Sequence, residues 1–196
     1  MNIFRNRKTG KLRNGEKSGA LLLFLLYGGI GVAVLLSFAG KSVFDNVSRL
    51  LSSETVIHSE WLEKARALVA GHPIEQMLPY IAEQNEVTAT YLVAIAKKES
   101  NWGLFAPEKD GRDCYNYWGY RGPENPTDSG YSCFRTPQQA VLIVGRRLSE
   151  LIEQRLDTPR ELVVWKRGFL DSPLDAASAK WVSDVDWYVQ KFDEQK

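Results

Sequence analysis

Residues 21–39 read LLLFLLYGGIGVAVLLSFA, nineteen positions without a charge. At 1.5 Å per residue, an uncharged helix of about 20 residues crosses a hydrocarbon core of about 30 Å. Gly28, Gly29 and Gly31 would weaken such a helix in water. In lipid no solvent competes for the backbone, so they are tolerated. Residues 1–20 carry six basic side chains and one acidic one, a net of +5. By the positive-inside rule the tip stays in the cytoplasm and the rest of the chain lies outside. We read the run as a single transmembrane signal anchor, because signal-peptide cores usually span about 7–15 apolar residues. The alternative is a secreted protein cleaved after Ala39, where Ser37 and Ala39 are small.

The formal net charge of +1 is therefore a sum of unlike parts, since residues 41–196 carry a net of −4. That acidity argues against a nucleic-acid partner. At 44% hydrophobic residues the chain is too apolar to be disordered. Four parts follow: a basic tip at 1–20, the span at 21–39, a stalk at 40–57, and one extracytoplasmic domain at 58–196.

The domain reads as mainly helical with a small β-hairpin or loop lobe. Ser59 is placed to cap a helix over 60–70. Pro73 suits the first turn of a helix running to about Asn85. Thr88 is placed to cap a third, ending in AIAKKES. Thr136-Pro137-Gln138-Gln139 has the form of a capping box. It opens a long helix with Ala140, Val141, Val144, Leu148, Leu151 and Ile152 on one apolar face. Thr158-Pro159-Arg160-Glu161 repeats the signal, and a last helix is expected over 183–193.

Between Asn101 and Arg135, Gly, Pro, Asn and Asp interrupt short aromatic runs such as YNYWGY and GYSCF. Aromatic rings there either fill a small core or stack on sugar faces. Phe105 and Phe134 are the rings expected to be buried. Cys114 and Cys133, the only cysteines, both fall in this lobe, and an oxidising compartment predicts a disulfide between them. His58 and His72 are the only histidines. They show neither metal-ligand spacing nor a Ser-His-Asp pattern. No cofactor is called for.

Glu99 ends an apolar helix on a stripe with Tyr91, Leu92 and Ile95. A carboxyl withdrawn from water at such a place keeps its proton more readily and can donate it to a leaving oxygen. The plain alternative is a helix-end glutamate paired with Lys97 or Lys98.

AIAKKESNWG resembles the helix-end Glu-Ser motif of the lysozyme-like superfamily, in particular the bacterial glucosaminidases that cut peptidoglycan. Asn116-Tyr117-Trp118-Gly119 resembles that family's Asn-hydrophobic-Phe-Gly motif, with Trp in place of Phe. Tyr131-Ser132-Cys133-Phe134-Arg135 resembles its aromatic strand, and Asp186-Trp187-Tyr188-Val189-Gln190-Lys191 its closing Asp-x-x-Tyr-x-x-Lys segment. The likeness spans about 73–193. It implies a lysozyme-like fold that cleaves β-1,4 linkages of amino-sugar glycans, with Glu99 as general acid.

On that resemblance Ser100, Trp102, Asn116, Tyr117, Trp118, Tyr120 and Tyr131 are the candidate substrate-binding residues. Tyr117, Trp118 and Tyr120 would stack on sugars. Asn116 would bind an acetamido group or anchor its own turn. Tyr188 is a cleft tyrosine or a core one. Glu124 and Asp128 fall nearest the family's second acid. Two other outcomes stay open: a lytic transglycosylase with one glutamate, and a domain that binds glycan without cutting it. The implied partners are a peptidoglycan-like glycan and, through 21–39, a membrane.

Overall fold

The structure, a computed structural model, describes residues 59–170 and 173–193. The tip, the apolar run, the stalk and His58 lie outside the described residues. Among the described residues no helix is long and apolar enough to cross a membrane.

The described chain is mainly helical. Helix α1 covers 59–69 and already includes Ser59. A 3-10 turn at Pro73–Met77 leads into the short α2, Leu78–Ile81. Then come α3, Glu86–Ser100, and a two-residue hairpin, β1 Glu108–Lys109 with β2 Arg112–Asp113. Helix α4 is Pro137–Glu153, α5 is Val164–Arg167 after a 3-10 turn at Glu161–Val163, and α6 is Ala176–Asp193.

Helix α3 is the axis of the core. Every residue from Thr88 to Ala96 is buried. Ala89, Ala94 and Ala96 keep its surface narrow, and α4 and α6 pack against it. Leu92 and Ile95 are fully buried, each contributing about 1.5–3 kcal/mol of apolar burial. Leu92→Ala would cost about 2–5 kcal/mol through the cavity it leaves.

Several expected boundaries move. Asn85, not Thr88, caps α3: its backbone is extended and its Oδ1 accepts the Thr88 N–H at 2.9 Å. Thr88 is one turn inside, with its hydroxyl 3.0 Å from Ser149 Oγ on α4. The helix expected from Pro73 to Asn85 is broken, because Pro79 has no N–H to continue the ladder past the 3-10 turn. Thr136 does cap α4, its Oγ1 accepting the Gln139 N–H at 3.1 Å, but Gln139 reaches back to the Arg135 N–H at 2.8 Å. The expected apolar face of α4 is buried, with Ile152 half-buried. Thr158 and Glu161 form their reciprocal box, yet the helical stretch is short and stops at Gly168, φ 79°. Helix α6 begins well before residue 183, because the Asp175 carboxylate accepts the Ser178 N–H at 2.7 Å and caps it there.

The lobe holds less β structure than its aromatic runs suggested. YNYWGY and GYSCF are loops, and the only pairing among the described residues is β1 with β2. Side-chain bonds and a disulfide between Cys114 and Cys133 hold the lobe instead. A bridge closing about 20 residues contributes around 3 kcal/mol in the chain-entropy model. Phe134 is buried as expected, but Phe105 is 76% exposed. The Phe105 amide closes a turn on the Ser100 carbonyl at 2.9 Å, and its ring is left outside.

Candidate active site

The end of α3 is built to change direction sharply. Asn101, Trp102 and Gly103 all have positive φ, at 51°, 57° and 95°. Left-handed backbone strains a residue as bulky as tryptophan, so the surroundings must hold it. The Trp102 N–H reaches the Ala96 carbonyl at 3.1 Å, and its indole N–H the Val93 carbonyl at 2.9 Å. Its carbonyl accepts from Ile74 at 3.1 Å. His72 and Tyr188 pack edge-on against the ring, and Lys97 Nζ lies 4.1 Å from its centroid. Gly103 then passes so close to Tyr117 that a Cβ would sit 2.7 Å from the phenol ring. Ser100 Oγ accepts the Gly103 N–H at 2.9 Å and lies 2.8 Å from the Tyr117 carbonyl and 3.1 Å from that of Ala96. One proton serves those two carbonyls. Ser100 and Trp102 are therefore buried joints between α3 and the lobe, not surfaces for a ligand.

Asn116 is fully buried, and both its amide hydrogens are used. Nδ2 donates to the carbonyls of Tyr120 and Ser132, both at 2.8 Å, and Oδ1 accepts the Tyr120 N–H at 2.9 Å. It anchors the turn, is closed off from solvent, and has no N–H left to donate to an acetamido group. Tyr117 is also fully buried. Its hydroxyl donates to Asp113 at 2.6 Å, and burial first, then that bond, push the phenol's pKa well up. Trp118 is buried too, its indole N–H on the Leu92 carbonyl at 2.7 Å. The expected stacking rings Tyr117 and Trp118 are thus buried, the indole N–H meeting the backbone of α3 and the phenol O–H meeting Asp113 on the hairpin.

Between this joint and the α4–α5 side lies a groove of about 590 Å³. Glu99 borders it with Gly119, Tyr120, Tyr131 and Trp165, over a floor to which Trp118 contributes. Glu99 is exposed, so its position on the apolar stripe does not withdraw it from water. It lies in the last turn of α3, past the continuously buried run from Thr88 to Ala96. Its Oε1 accepts the Trp181 indole N–H at 2.6 Å. A Cβ on Gly119, where φ is 65°, would lie 3.5 Å from Oε2. Neither neighbouring lysine pairs with it: Lys97 donates to Asn101 Oδ1 and Lys98 to Asp184, both at 2.6 Å. Burial lowers the Lys97 pKa. The Lys180 and Lys98 bonds hold the Asp184 carboxyl below its usual range.

Glu124 and Asp128 do not join Glu99. Neither borders the groove. Glu124 accepts from Ser132 Oγ at 3.0 Å, and its carbonyl from Cys133 N at 2.8 Å. Asp128 is exposed in the turn that the Thr127 and Tyr131 backbones close. Among the described residues that line the groove, Glu99 is the one carboxylate. Tyr188 stands two turns along α6 from Trp181, half-buried against Trp102 and Trp187, and does not border the groove. Burial first, then Asp184, raise its phenol.

The motifs single out neither Trp165 nor Trp181. Trp165 Nε1 donates to the Trp118 carbonyl at 2.8 Å and its ring stacks on Tyr120. Trp181 leads the buried stripe of α6 with Val185 and Phe192. Starting that helix at 183 hides it. Arg121, Arg147 and Lys166 complete the wall. No group of acidic, histidine or cysteine side chains among the described residues is arranged to hold a metal ion. The chain matches no protein-family model, no curated protein and no solved structure.

Proposed function

We propose that this chain is a membrane-anchored enzyme of lysozyme-like type that cleaves β-1,4 linkages in peptidoglycan glycan strands, with Glu99 as general acid. The observation that carries the reading is the setting of Glu99. It is a lone carboxylate at a helix end, one oxygen fixed by Trp181, the other beside a glycine, in a groove walled by Tyr120, Tyr131 and Trp165. Fixing one oxygen leaves the other to carry the proton toward a bound glycosidic oxygen. Glycine at 119 leaves room beside it, and the three half-buried rings suit the C–H faces of sugars.

One feature favours a second reaction at the same acid. Two carboxylates define ordinary retaining or inverting hydrolysis, and this groove presents one. That supports a lytic transglycosylase, in which the sugar's own hydroxyl closes on the anomeric carbon and no second acid is needed. Both readings use Glu99 identically in the first step.

The test is mass spectrometry of purified cell walls digested with the full-length chain. Hydrolysis yields reducing-end sugars, and transglycosylation yields anhydro sugars lighter by one water. Glu99→Gln is expected to fold normally and release no product. Product at the wild-type rate from that variant would remove Glu99 from the mechanism. Binding without product from either protein would make this a glycan-binding domain.

A further inference from the structure

The sequence total for residues 41–196 is negative, but the groove is not. Its charged border consists of Glu99 against Arg121, Arg147 and Lys166. The three cations come from three places: the loop after Gly119, the exposed side of α4, and α5. Arg121 is set in position, its Nη1 donating to the Ser129 carbonyl at 2.5 Å and its guanidinium 3.9 Å from the Tyr131 ring centroid. Arg147 is half-exposed and paired with the equally exposed Glu150 at 3.2 Å. Lys166 is exposed on α5. A solvent-exposed pair such as Arg147–Glu150 is weak and readily gives up its partner. The aromatic rings that stack on sugars stand among these cations, since Tyr120, Tyr131 and Trp165 border the same space.

We infer that the groove selects glycans that carry carboxylates, and that Arg147 and Lys166 are the residues that read them. This rests on the glycan-cleaving reading above and adds the charge of the substrate to it. Sugar rings stack on the aromatic wall while a substituent carboxylate, from an acid ether or an attached peptide, faces the cationic side. A neutral amino-sugar polymer satisfies the rings and offers the cations no carboxylate. The attraction acts over roughly a Debye length, about 10 Å at 0.1 M salt, and so weakens as salt rises. Recruitment by charge is then local to the groove although the domain as a whole is acidic.

The experiment compares peptidoglycan strands with the same strands after their carboxyls have been converted to methylamides, which removes charge and keeps shape. Full-length wild type, Lys166→Gln, Arg147→Gln and the double variant are assayed on both at low and high salt. Wild type should show a KM about tenfold lower for the native strands, with kcat little changed. Each single variant should narrow that gap about threefold and the double variant nearly close it, in line with exposed ion pairs. Raising salt to 0.5 M, a probe condition of about 4 Å screening length, should also close it. Equal KM for native and methylamidated strands, with cleavage of both, overturns the inference and leaves the glycosidase reading standing. If neither is cleaved, the glycosidase reading fails. Dissociation constants of Glu99→Gln for the two strands then decide the inference: tighter binding of the native form upholds it, and equal binding overturns it.

Discussion

The Trp181 indole N–H donates to Glu99 Oε1 at 2.6 Å across 82 residues of sequence. This bond joins the last turn of α3 to the first turns of α6, and the Lys98–Asp184 bridge ties the same two helices at 2.6 Å. Between them, α6 fixes where the carboxylate points. If Glu99 is the proposed acid, a neutral indole orients it without adding a cation beside it.

Trp181→Phe keeps the buried ring and removes the donor. A single hydrogen bond contributes about 0.5–1.5 kcal/mol net, and its loss also frees the carboxyl to rotate. We expect kcat to fall about tenfold or more, with KM changed less than threefold. Steady-state kinetics on cell-wall strands checks this, and a rise in KM with kcat unchanged would assign Trp181 to binding instead.

Gly103→Ala should be strongly destabilising. The added Cβ would meet Tyr117 at 2.7 Å and Pro73 at 2.9 Å, at a φ of 95°. Two effects combine: left-handed backbone at a residue with a Cβ, and a clash with a ring that is itself fully buried. A loss of about 3 kcal/mol or more is expected, read from denaturant unfolding.

Reducing the Cys114–Cys133 bridge should lower the melting temperature by about 10 °C, from roughly 3 kcal/mol of loop entropy in a domain of this size. The lobe has two-residue strands and little other regular structure, so the bridge carries much of its order. Thermal scans with and without reductant measure the shift. Labelling should find no free thiol before reduction.

Asp184 gives the fold an acid limb. Its bonds to Lys180 and Lys98 lower its carboxyl in the folded state below the ordinary value of 3.8. A group depressed on folding contributes stability above its unfolded pKa and loses it as pH falls through the folded one. Stability should therefore decline below about pH 4. Asp184→Asn should lower stability at pH 7 and flatten that decline, which urea unfolding at pH 7, 4 and 3 will show.

The helices were largely legible because their signals are local. Apolar spacing marked α3 and the buried face of α4, and Thr136 and Thr158 act as the caps their neighbours implied. Boundaries went astray where two signals competed: Asn85 outranked Thr88 as cap, Pro79 cut a helix, and Asp175 started α6 early. The disulfide was readable from two cysteines in one lobe.

The site divides along the same line. Glu99 could be picked from its helix end and the motif around it. The roles of its neighbours could not, because a ring or amide looks the same in sequence whether its polar atom finds a core partner or solvent. Trp102, Tyr117 and Asn116 are buried away from the groove, Trp118 is buried under its floor, and Tyr120, Tyr131 and Trp165 stand half-buried along it.

By itself the sequence determined a helical domain with one cross-linked aromatic lobe and a glutamate at the end of its central helix. Tertiary structure decided what stands beside that glutamate. Trp181 reaches the Glu99 carboxylate through the packing of α6, and Lys166 reaches the groove through the placement of α5, both far from Glu99 in the chain. Such contacts depend on where separate elements dock. Local patterns fix the elements, and docking, which they do not encode, assembles the site.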